Sequence, residues 1–268
     1  SVVWSEGFHN VTIWINDSAG NENKSGVSFT INDSYVNGCK ILNVANREYT
    51  QQENIEDNSL TGVCMNITAS GITFDGNGYW IKSNKNFSGI YVNSSDVTIK
   101  NANISMNTTD GGVGIEVQGN SADRCLIENN TIYDSFRGIM VVNGDYCIIN
   151  ENYINNSLNI SNEAILVQSS SEKTNITNNV AHSDNGEGIR LNNNADNNLI
   201  INNTVTSITG IGIIVIAGSD NNNLTNNTAN SRSAEALMIR SSENSFLLNN
   251  TATSVESVGI YLFDNANN

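Results

Sequence analysis

The sequence of 268 residues predicts an all-β fold, a right-handed parallel β-helix with about 24 residues in each coil. The main observation is a four-residue phrase that returns at this interval: Gly or Ala, an apolar residue, a variable residue and a second apolar residue. Its copies begin at Gly89, Gly114, Gly138, Ala164, Gly188, Gly212, Ala236 and Gly259. A self-similar period of this length is typical of solenoids, in which each repeat packs only on its neighbours.

A second phrase keeps the same interval and contains two adjacent asparagines in most copies, as in Ile200–Val205. Both phrases are short, rich in β-branched residues and alternate at a period of two, which predicts strands. The Asn, Ser and Gly clusters between them predict turns. Strands of successive coils would then stack at about 4.8 Å, the ordinary spacing within a sheet. A leucine-rich repeat has a similar period, but the leucine consensus that it needs is missing here.

Composition indicates which partners to expect. The chain has no proline, a residue that interrupts ladders of parallel strands, and its formal net charge is −15. We expect no nucleic acid partner, because phosphates need Lys and Arg. We also expect no membrane span, because no apolar run approaches the required length of about 20 residues. Sequons for N-glycosylation are frequent, and Asn10, Asn86 and Asn107 are the predicted acceptors.

Register distinguishes the inside of the predicted helix from the outside. In the first phrase the second and fourth residues are apolar in every copy, so they should stack in the core while the third residue points outward. Two outward columns carry apolar side chains that would form a contact surface, unless a loop or the N-terminal segment covers them. This predicted assembly face consists of Met140, Val142, Leu166, Ile214, Ile216, Met238, Tyr261 and Phe263.

An Asn column follows the second strand, and we predict a structural role for it. Stacked side-chain amides can form hydrogen bonds from coil to coil, and an amide that recurs in every coil marks no special catalytic position. The column consists of Asn130, Asn152, Asn179, Asn203, Asn227 and Asn250.

An acidic column lies six residues before the first residue of each Asn pair or its equivalent. Stacked carboxylates repel by about 1 kcal/mol even in water, so the column is either splayed into solvent or bridged by a divalent cation. Ca²⁺ is the one cofactor that the sequence suggests, and the alternative is that these acids are ordinary turn residues. The column consists of Asp123, Asp145, Glu172, Asp196, Asp220 and Glu243.

The four cysteines fall into two pairs, each about one coil apart. We predict a disulfide between Cys39 and Cys64, where irregular sequence intervenes. Cys125 and Cys147 share one register, which brings their Cα atoms within reach of a disulfide, so either a bridge or a stacked pair of free thiols is compatible with the sequence. Export from the cell would permit oxidation of both pairs.

The segment Cys64–Ile81, followed by the two repeated phrases, resembles the opening of NosD-like parallel β-helix modules. Such modules are frequent in surface and surface-layer proteins of methanogenic archaea. The resemblance extends over about residues 35–268, and its motifs are specific for the fold rather than for a function.

The N-terminal residues have a different pattern. Two alternating stretches around a polar turn, His9–Asn21 and Val27–Asp33, resemble the last hairpin of the Ig-like modules that precede β-helices in archaeal surface proteins. We therefore divide the chain into a partial Ig-like segment, 1–33, and a parallel β-helix, 34–268, whose C-terminal end we expect to be uncapped.

Many β-helix enzymes that act on acidic polysaccharides place acids with Arg, Lys or His on the outer face of one sheet. The corresponding residues here are Glu116, Arg190 and Arg240, with His182 and Glu187 on the preceding turn. They are scattered among apolar residues, and the sequence shows no paired carboxylates with a base at a useful spacing. We therefore expect no catalytic residues and no enzymatic activity.

Together these features predict an extracellular structural protein of an archaeal-type cell surface, a subunit of a surface layer, sheath or filament. Its partners would be copies of itself or other envelope proteins. The alternative is a carbohydrate-binding or polysaccharide-processing β-helix protein, with glycans as partners.

Overall fold

The computed structural model describes residues 4, 6–31, 33–106, 111–156, 163–264 and 266. The chain forms two units, residues 1–35 and 36–268. The described residues contain strands, turns and bends but no helix, so none of them belongs to a helix that could cross a membrane. The all-β prediction is confirmed.

The first unit contains an antiparallel hairpin of two strands, β1 (Gly7–Asn16) and β2 (Glu22–Ile31). The Asp17 carboxylate closes its turn by accepting the backbone N–H groups of Ala19 and Asn21, each at 2.9 Å. The side-chain amide of Asn21 donates to the same carboxylate and lowers the pKa of Asp17. A short hairpin at this position is confirmed, whereas its membership of an Ig-like module stays a prediction.

The second unit is a parallel β-helix of about nine coils, in which three sheets run along the axis. We call them the first, second and third sheets in the order in which the chain visits them in each coil. The first sheet contains β4 (Lys40–Leu42), β7 (Met65–Ile67), β10 (Ile90–Val92), β13 (Val113–Gln118), β16 (Arg137–Val142), β19 (Ile165–Gln168), β22 (Ile189–Asn192), β25 (Ile213–Ile216), β28 (Leu237–Arg240) and β31 (Ile260–Phe263).

The second and third sheets are built in the same way. The second sheet contains β3 (Tyr35–Val36), β5 (Glu48–Gln51), β8 (Thr73–Asp75), β11 (Thr98–Lys100), β14 (Leu126–Glu128), β17 (Ile148–Asn150), β20 (Asn175–Thr177), β23 (Leu199–Ile201), β26 (Asn223–Thr225) and β29 (Phe246–Leu248). The third sheet contains β6 (Ile55–Glu56), β9 (Trp80–Ser83), β12 (Asn103–Met106), β15 (Thr131–Tyr133), β18 (Tyr153–Asn156), β21 (Val180–Ser183), β24 (Thr204–Ser207), β27 (Thr228–Ser231) and β30 (Thr251–Ser254).

The first phrase of the repeat forms the strands of the first sheet, and its apolar residues stack in register. Ile115 of β13 pairs with Ile90 of β10 and with Ile139 of β16, and all three side chains are fully buried. Burying a side chain of this size contributes about 1.5–3 kcal/mol to folding. The inward columns that the sequence indicates therefore form the core of the helix.

The glycine that opens the phrase lies where successive coils approach most closely. A Cβ atom at Gly138 would lie 2.4 Å from the carbonyl oxygen of Ala164 and 2.5 Å from Cγ2 of Ile154. Carbon atoms do not approach this closely, so a side chain here would force the coils apart. The copies that open with glycine therefore have no room for a side chain, whereas alanine fills this position at Ala164 and Ala236.

A ladder of buried asparagines lines the corner between the second and third sheets. Asn152 donates its backbone N–H and its Nδ2–H to Oδ1 of Asn179 in the next coil, at 2.9 and 3.0 Å. The same amide also donates to the carbonyl oxygen of Ile127 in the preceding coil, at 2.9 Å. Asn178, which precedes the ladder residue, has a left-handed backbone with φ of 58°, a conformation that Asn tolerates better than most residues. The amide hydrogen bonds continue through Asn130, Asn152, Asn179, Asn203, Asn227 and Asn250.

Replacing Asn179 by Ala should destabilise the helix, because the buried N–H of Asn152 loses its acceptor. A buried donor without a partner costs about 1–3 kcal/mol, so we expect the free energy of unfolding to fall by about 2 kcal/mol or more. Urea denaturation followed by circular dichroism measures this change. Asn230→Ala, on the outer face of the third sheet, is the control and should change it by less than about 0.5 kcal/mol. Equal losses in the two variants would contradict the structural role of the ladder.

Candidate functional site

Three outward columns run along the outer face of the first sheet. The middle column passes through Glu116, Met140, Leu166, Arg190 and Ile214 in successive coils. A second column lies two residues later in each coil. A third column lies just before the Gly or Ala of each phrase and places charged side chains of adjacent coils next to one another.

Four charged side chains from three coils converge on this face. The Glu163 carboxylate, only 5% exposed, accepts Nε–H of Arg137 at 2.8 Å and lies 3.5 Å from Nη1 of Arg190. The same Nη1 lies 3.7 Å from Oε1 of Glu187. Two carboxylates from adjacent coils therefore flank one guanidinium group. We call these four residues the charged cluster.

The charged cluster contains a hydrogen-bond donor without a partner and lies beside a buried apolar side chain. Nε of Arg190 is buried and makes no hydrogen bond within the part of the chain that the structure describes. Leu166, which precedes Arg190 in the same column, is almost fully buried. Electrostatic interactions are stronger in such surroundings than in water. The carboxylates can exchange protons with a bound molecule, and the guanidinium can hold its oxygen atoms.

The structure brings together two of the five residues that the sequence analysis considered for catalysis, Glu187 and Arg190. Glu116 lies three coils before Arg190 in the same column, where it accepts a hydrogen bond from Oγ of Ser88. Glu116 is therefore held by a local hydrogen bond away from the cluster.

The other two residues lie elsewhere. The Arg240 guanidinium lies over the ring of Phe263, 5.9 Å from its centroid. Nε2 of His182 lies 2.8 Å from Oδ1 of Asp184, and His182 belongs to β21 of the third sheet. Neither residue contacts the charged cluster through these interactions.

Sequence reasoning missed Glu163 and Arg137 as site residues. Glu163 precedes Ala164, in a copy of the phrase that begins with alanine where most copies begin with glycine. The signal was present, since Glu163 and Glu187 occupy the same position of successive coils. Aligning this column would have revealed the paired carboxylates.

The predicted assembly face is only partly exposed. Met140, Val142 and Leu166 pack with Val113 in a small apolar cluster separate from the main core. Ile214 is also buried, at 5% exposure. For these four of the eight predicted residues, the structure shows the covered alternative and not the exposed contact surface.

The rest of the predicted assembly face is accessible. Ile216 and Met238 line a groove of about 400 Å³ that also includes Arg240. The rings of Tyr261 and Phe263 are stacked, with centroids 5.6 Å apart, and both side chains are exposed. Assembly through this smaller surface stays a prediction.

The acidic column forms hydrogen bonds with the backbone of the next coil. In each case Oδ1 of an aspartate accepts the backbone N–H of the acidic residue one coil later, at 2.6–3.0 Å. These bonds join Asp123 to Asp145, Asp145 to Glu172, Asp196 to Asp220 and Asp220 to Glu243. Among the described residues, no group of three His, Cys, Asp or Glu side chains could hold a metal ion. The hydrogen bonds explain the column without a metal, and Ca²⁺ binding stays a prediction.

Asp145 distinguishes the two explanations of the acidic column. Asp145→Ala removes the acceptor of the Glu172 N–H, and we expect the free energy of unfolding to fall by about 1 kcal/mol. Asp145→Asn keeps an oxygen acceptor, so its free energy of unfolding should fall by less than half as much. Thermal denaturation in EDTA and in Ca²⁺ measures both variants. Stabilisation of the wild-type chain by Ca²⁺ that is lost in Asp145→Asn would contradict the hydrogen-bond explanation.

The two cysteine pairs differ. Cys39 and Cys64 are joined by a disulfide, with Cα atoms 4.5 Å apart. Cys125 and Cys147 are buried free thiols. The hydrogen bond between these two thiols, together with burial, raises the pKa of Cys125. Of the two alternatives for the second pair, the structure shows the stacked free thiols.

Two of the predicted glycosylation acceptors can be placed. Asn10 in β1 and Asn86, which follows β9, are both exposed. Asn107 lies outside the described residues. Glycosylation of the three stays a prediction.

Comparison with known families settles the class of fold. The model of the family described as "Right handed beta helix region" matches residues 49–205 and 163–268. The chain belongs to this family. The right-handed parallel β-helix predicted from the period is confirmed, whereas the NosD-like and archaeal assignments stay predictions.

Solved structures share this fold at low sequence identity. The A-module of mannuronan C-5 epimerase AlgE6 from Azotobacter vinelandii is similar over 84% of this chain and 71% of that chain, with a TM-score of 0.56 and 13% identity. The Dettilon tailspike protein is similar over 84% of this chain and 60% of its own, with a TM-score of 0.54 and 12% identity. An alginate lyase from Paenibacillus sp. str. FPU-7 matches over 81% and 92%, with a TM-score of 0.42 and 14% identity. No curated protein sequence matches the chain significantly.

The prediction that the chain is not an enzyme is wrong. It rested on the absence of paired carboxylates beside a basic group, and the charged cluster contains such a pair, Glu163 and Glu187, on either side of Arg190. A solved structure that shares the fold is a module of an epimerase. The fold and the cluster are therefore compatible with catalysis.

Proposed function

We propose that the chain is an extracellular β-helix protein that binds a polysaccharide along the outer face of the first sheet and processes it at the charged cluster. The observation that carries this proposal is the pair of carboxylates, Glu163 and Glu187, that flanks the Arg190 guanidinium. The solved structures named above support it, since they include a mannuronan C-5 epimerase.

The residues of the cluster have different roles in this proposal. Glu187, the more exposed carboxylate, is the group that exchanges a proton with the sugar. Arg190, whose side chain is 25% exposed, contacts the sugar through its guanidinium group and neutralises negative charge that develops in the reaction. Glu163 and Arg137 are positioning residues, because the short contact between them fixes the carboxylate that contacts Arg190.

An extracellular location is supported by the disulfide between Cys39 and Cys64. Disulfides persist in oxidising compartments and are rare in the cytosol. The net charge of −15 keeps such a protein soluble. The second candidate is the envelope role predicted from the sequence. The half-buried residues Ile216 and Met238 and the exposed residues Tyr261 and Phe263 support it.

Glu187→Gln should abolish most polysaccharide processing, because an amide cannot exchange the proton. General acid–base catalysis contributes about 10²–10⁴-fold, so we expect turnover to fall at least about 100-fold. The wild-type chain is incubated with mannuronan, polygalacturonate, xylan and a β-glucan, and nuclear magnetic resonance of the products detects cleavage or epimerisation.

The matched control for this experiment is Glu235→Gln. Glu235 lies in the same column two coils later, where it accepts a hydrogen bond from Ser257, and its replacement should leave turnover unchanged. Thermal denaturation of each variant shows that the fold is retained. If the wild-type chain neither binds nor alters any of the four polysaccharides, or if both variants lose activity equally, the proposed function is wrong.

A further inference from the structure

Three aromatic side chains form a row on the outer face of the third sheet. Trp80 begins β9, Tyr133 ends β15 and Tyr153 begins β18. The ring centroids of Trp80 and Tyr133 are 6.0 Å apart, and those of Tyr133 and Tyr153 are 5.7 Å apart. Tyr153 is 41% exposed and the other two side chains are half-buried, so the row is accessible from solvent. We call these three residues the aromatic row.

Small polar residues separate the two ends of the aromatic row. Trp80, Asn103, Thr131 and Tyr153 occupy one column in four successive coils, as the strand pairings show. Tyr133 lies in the neighbouring outward column of the same strand as Thr131. Because Asn103 and Thr131 are short, the rings of Trp80 and Tyr133 can approach each other above them.

A polar groove continues from the aromatic row onto the corner between the second and third sheets. It has a volume of about 410 Å³. Asn129 donates to Oδ1 of Asn101 at 2.7 Å, and Asn101 donates to Oδ1 of Asp75 at 3.1 Å. Each amide has two donors and an acceptor oxygen, so these bonds leave further capacity for a ligand. The groove is lined by Asp75, Asn77, Gly78, Asn101, Asn103, Asn129 and Thr131.

Aromatic rings beside amide groups are suited to sugars. The C–H face of a pyranose packs on an aromatic ring, while its hydroxyl groups bond to amide donors and acceptors. The rings of Tyr133 and Tyr153 are tilted by 54° to one another, so each can contact a different sugar of an extended chain. The spacing between successive coils, about 4.8 Å, is similar to the length of one sugar residue in an extended chain.

The charges around the groove favour an uncharged ligand. Lys100 lies 3.6 Å from Asp75 and 3.5 Å from Glu48, so its positive charge is paired with two carboxylates. Lys82 lies over the Trp80 ring, 4.4 Å from its centroid. The net charge of −15 further disfavours an anionic chain.

We infer that the aromatic row and the adjoining polar groove form a binding site for a neutral oligosaccharide. The site lies on a different sheet from the charged cluster and does not depend on the proposed processing activity. Asp75, the acidic residue that lines the groove, is paired with Lys100 at 3.6 Å.

Calorimetric titration of the full chain with cellohexaose, mannohexaose and xylohexaose tests this inference. We expect one of these neutral probes to bind, and Tyr133→Ala and Tyr153→Ala each to weaken binding about 3- to 10-fold, because each removes one aromatic contact with a sugar ring. Hexamannuronate is the anionic comparison, and any binding of it should be unchanged in Tyr133→Ala and Tyr153→Ala. Asn103→Ala, where the aromatic row meets the groove, should also weaken binding, because it removes an amide group that lines the site. Thermal denaturation of all variants checks that they fold.

Two matched variants make the result specific to this face. Phe246→Ala removes an exposed aromatic ring from the outer face of the second sheet and should leave the affinity unchanged. Glu187→Gln, in the charged cluster, should also leave it unchanged. The inference is overturned if no neutral probe binds, if Phe246→Ala weakens binding as much as Tyr133→Ala does, or if only Glu187→Gln weakens it.

Discussion

Stacking of coils in register is the constraint on which every other feature of this β-helix depends. Because each strand pairs in parallel with the same strand one coil away, a side chain always lies beside the side chain at the same position of the next coil. Ile90, Ile115 and Ile139 thereby form a continuous apolar column. The same rule turns Asn152 and Asn179 into members of a hydrogen-bonded ladder.

In-register stacking also creates a difficulty for charged residues, and the structure shows two ways of meeting it. Aspartates such as Asp123 direct one carboxylate oxygen to a backbone N–H of the next coil, which gives each negative charge a donor. On the outer face of the first sheet, guanidinium groups lie beside an acid instead, and Glu163 contacts both Arg137 and Arg190. At physiological ionic strength the Debye length is about 8 Å, so a sugar bound at this face is affected most strongly by these nearby charges.

The sequence predicts features that depend on one column and does not predict features that combine columns. The core, the Asn ladder and the coil length follow from residues that recur at one position, such as Asn179. The aromatic row escaped notice because Tyr133 belongs to a different column from Trp80 and Tyr153 and is separated from Trp80 by a whole coil. The burial of Met140 could not be predicted in the same way. The alternation of a strand shows that a side chain points outward, but it gives no information about what lies above the sheet.

Because the charged cluster is assembled from residues of three consecutive coils, the spacing of the coils determines its geometry. Inserting one complete coil between Glu163 and Glu187 would move the two carboxylates apart by one strand spacing, about 4.8 Å, while every column on either side kept its register. A change of length within a coil would instead disturb all the columns at once. Whole coils are therefore the units in which such a protein can change the spacing of its surface groups without rebuilding its core.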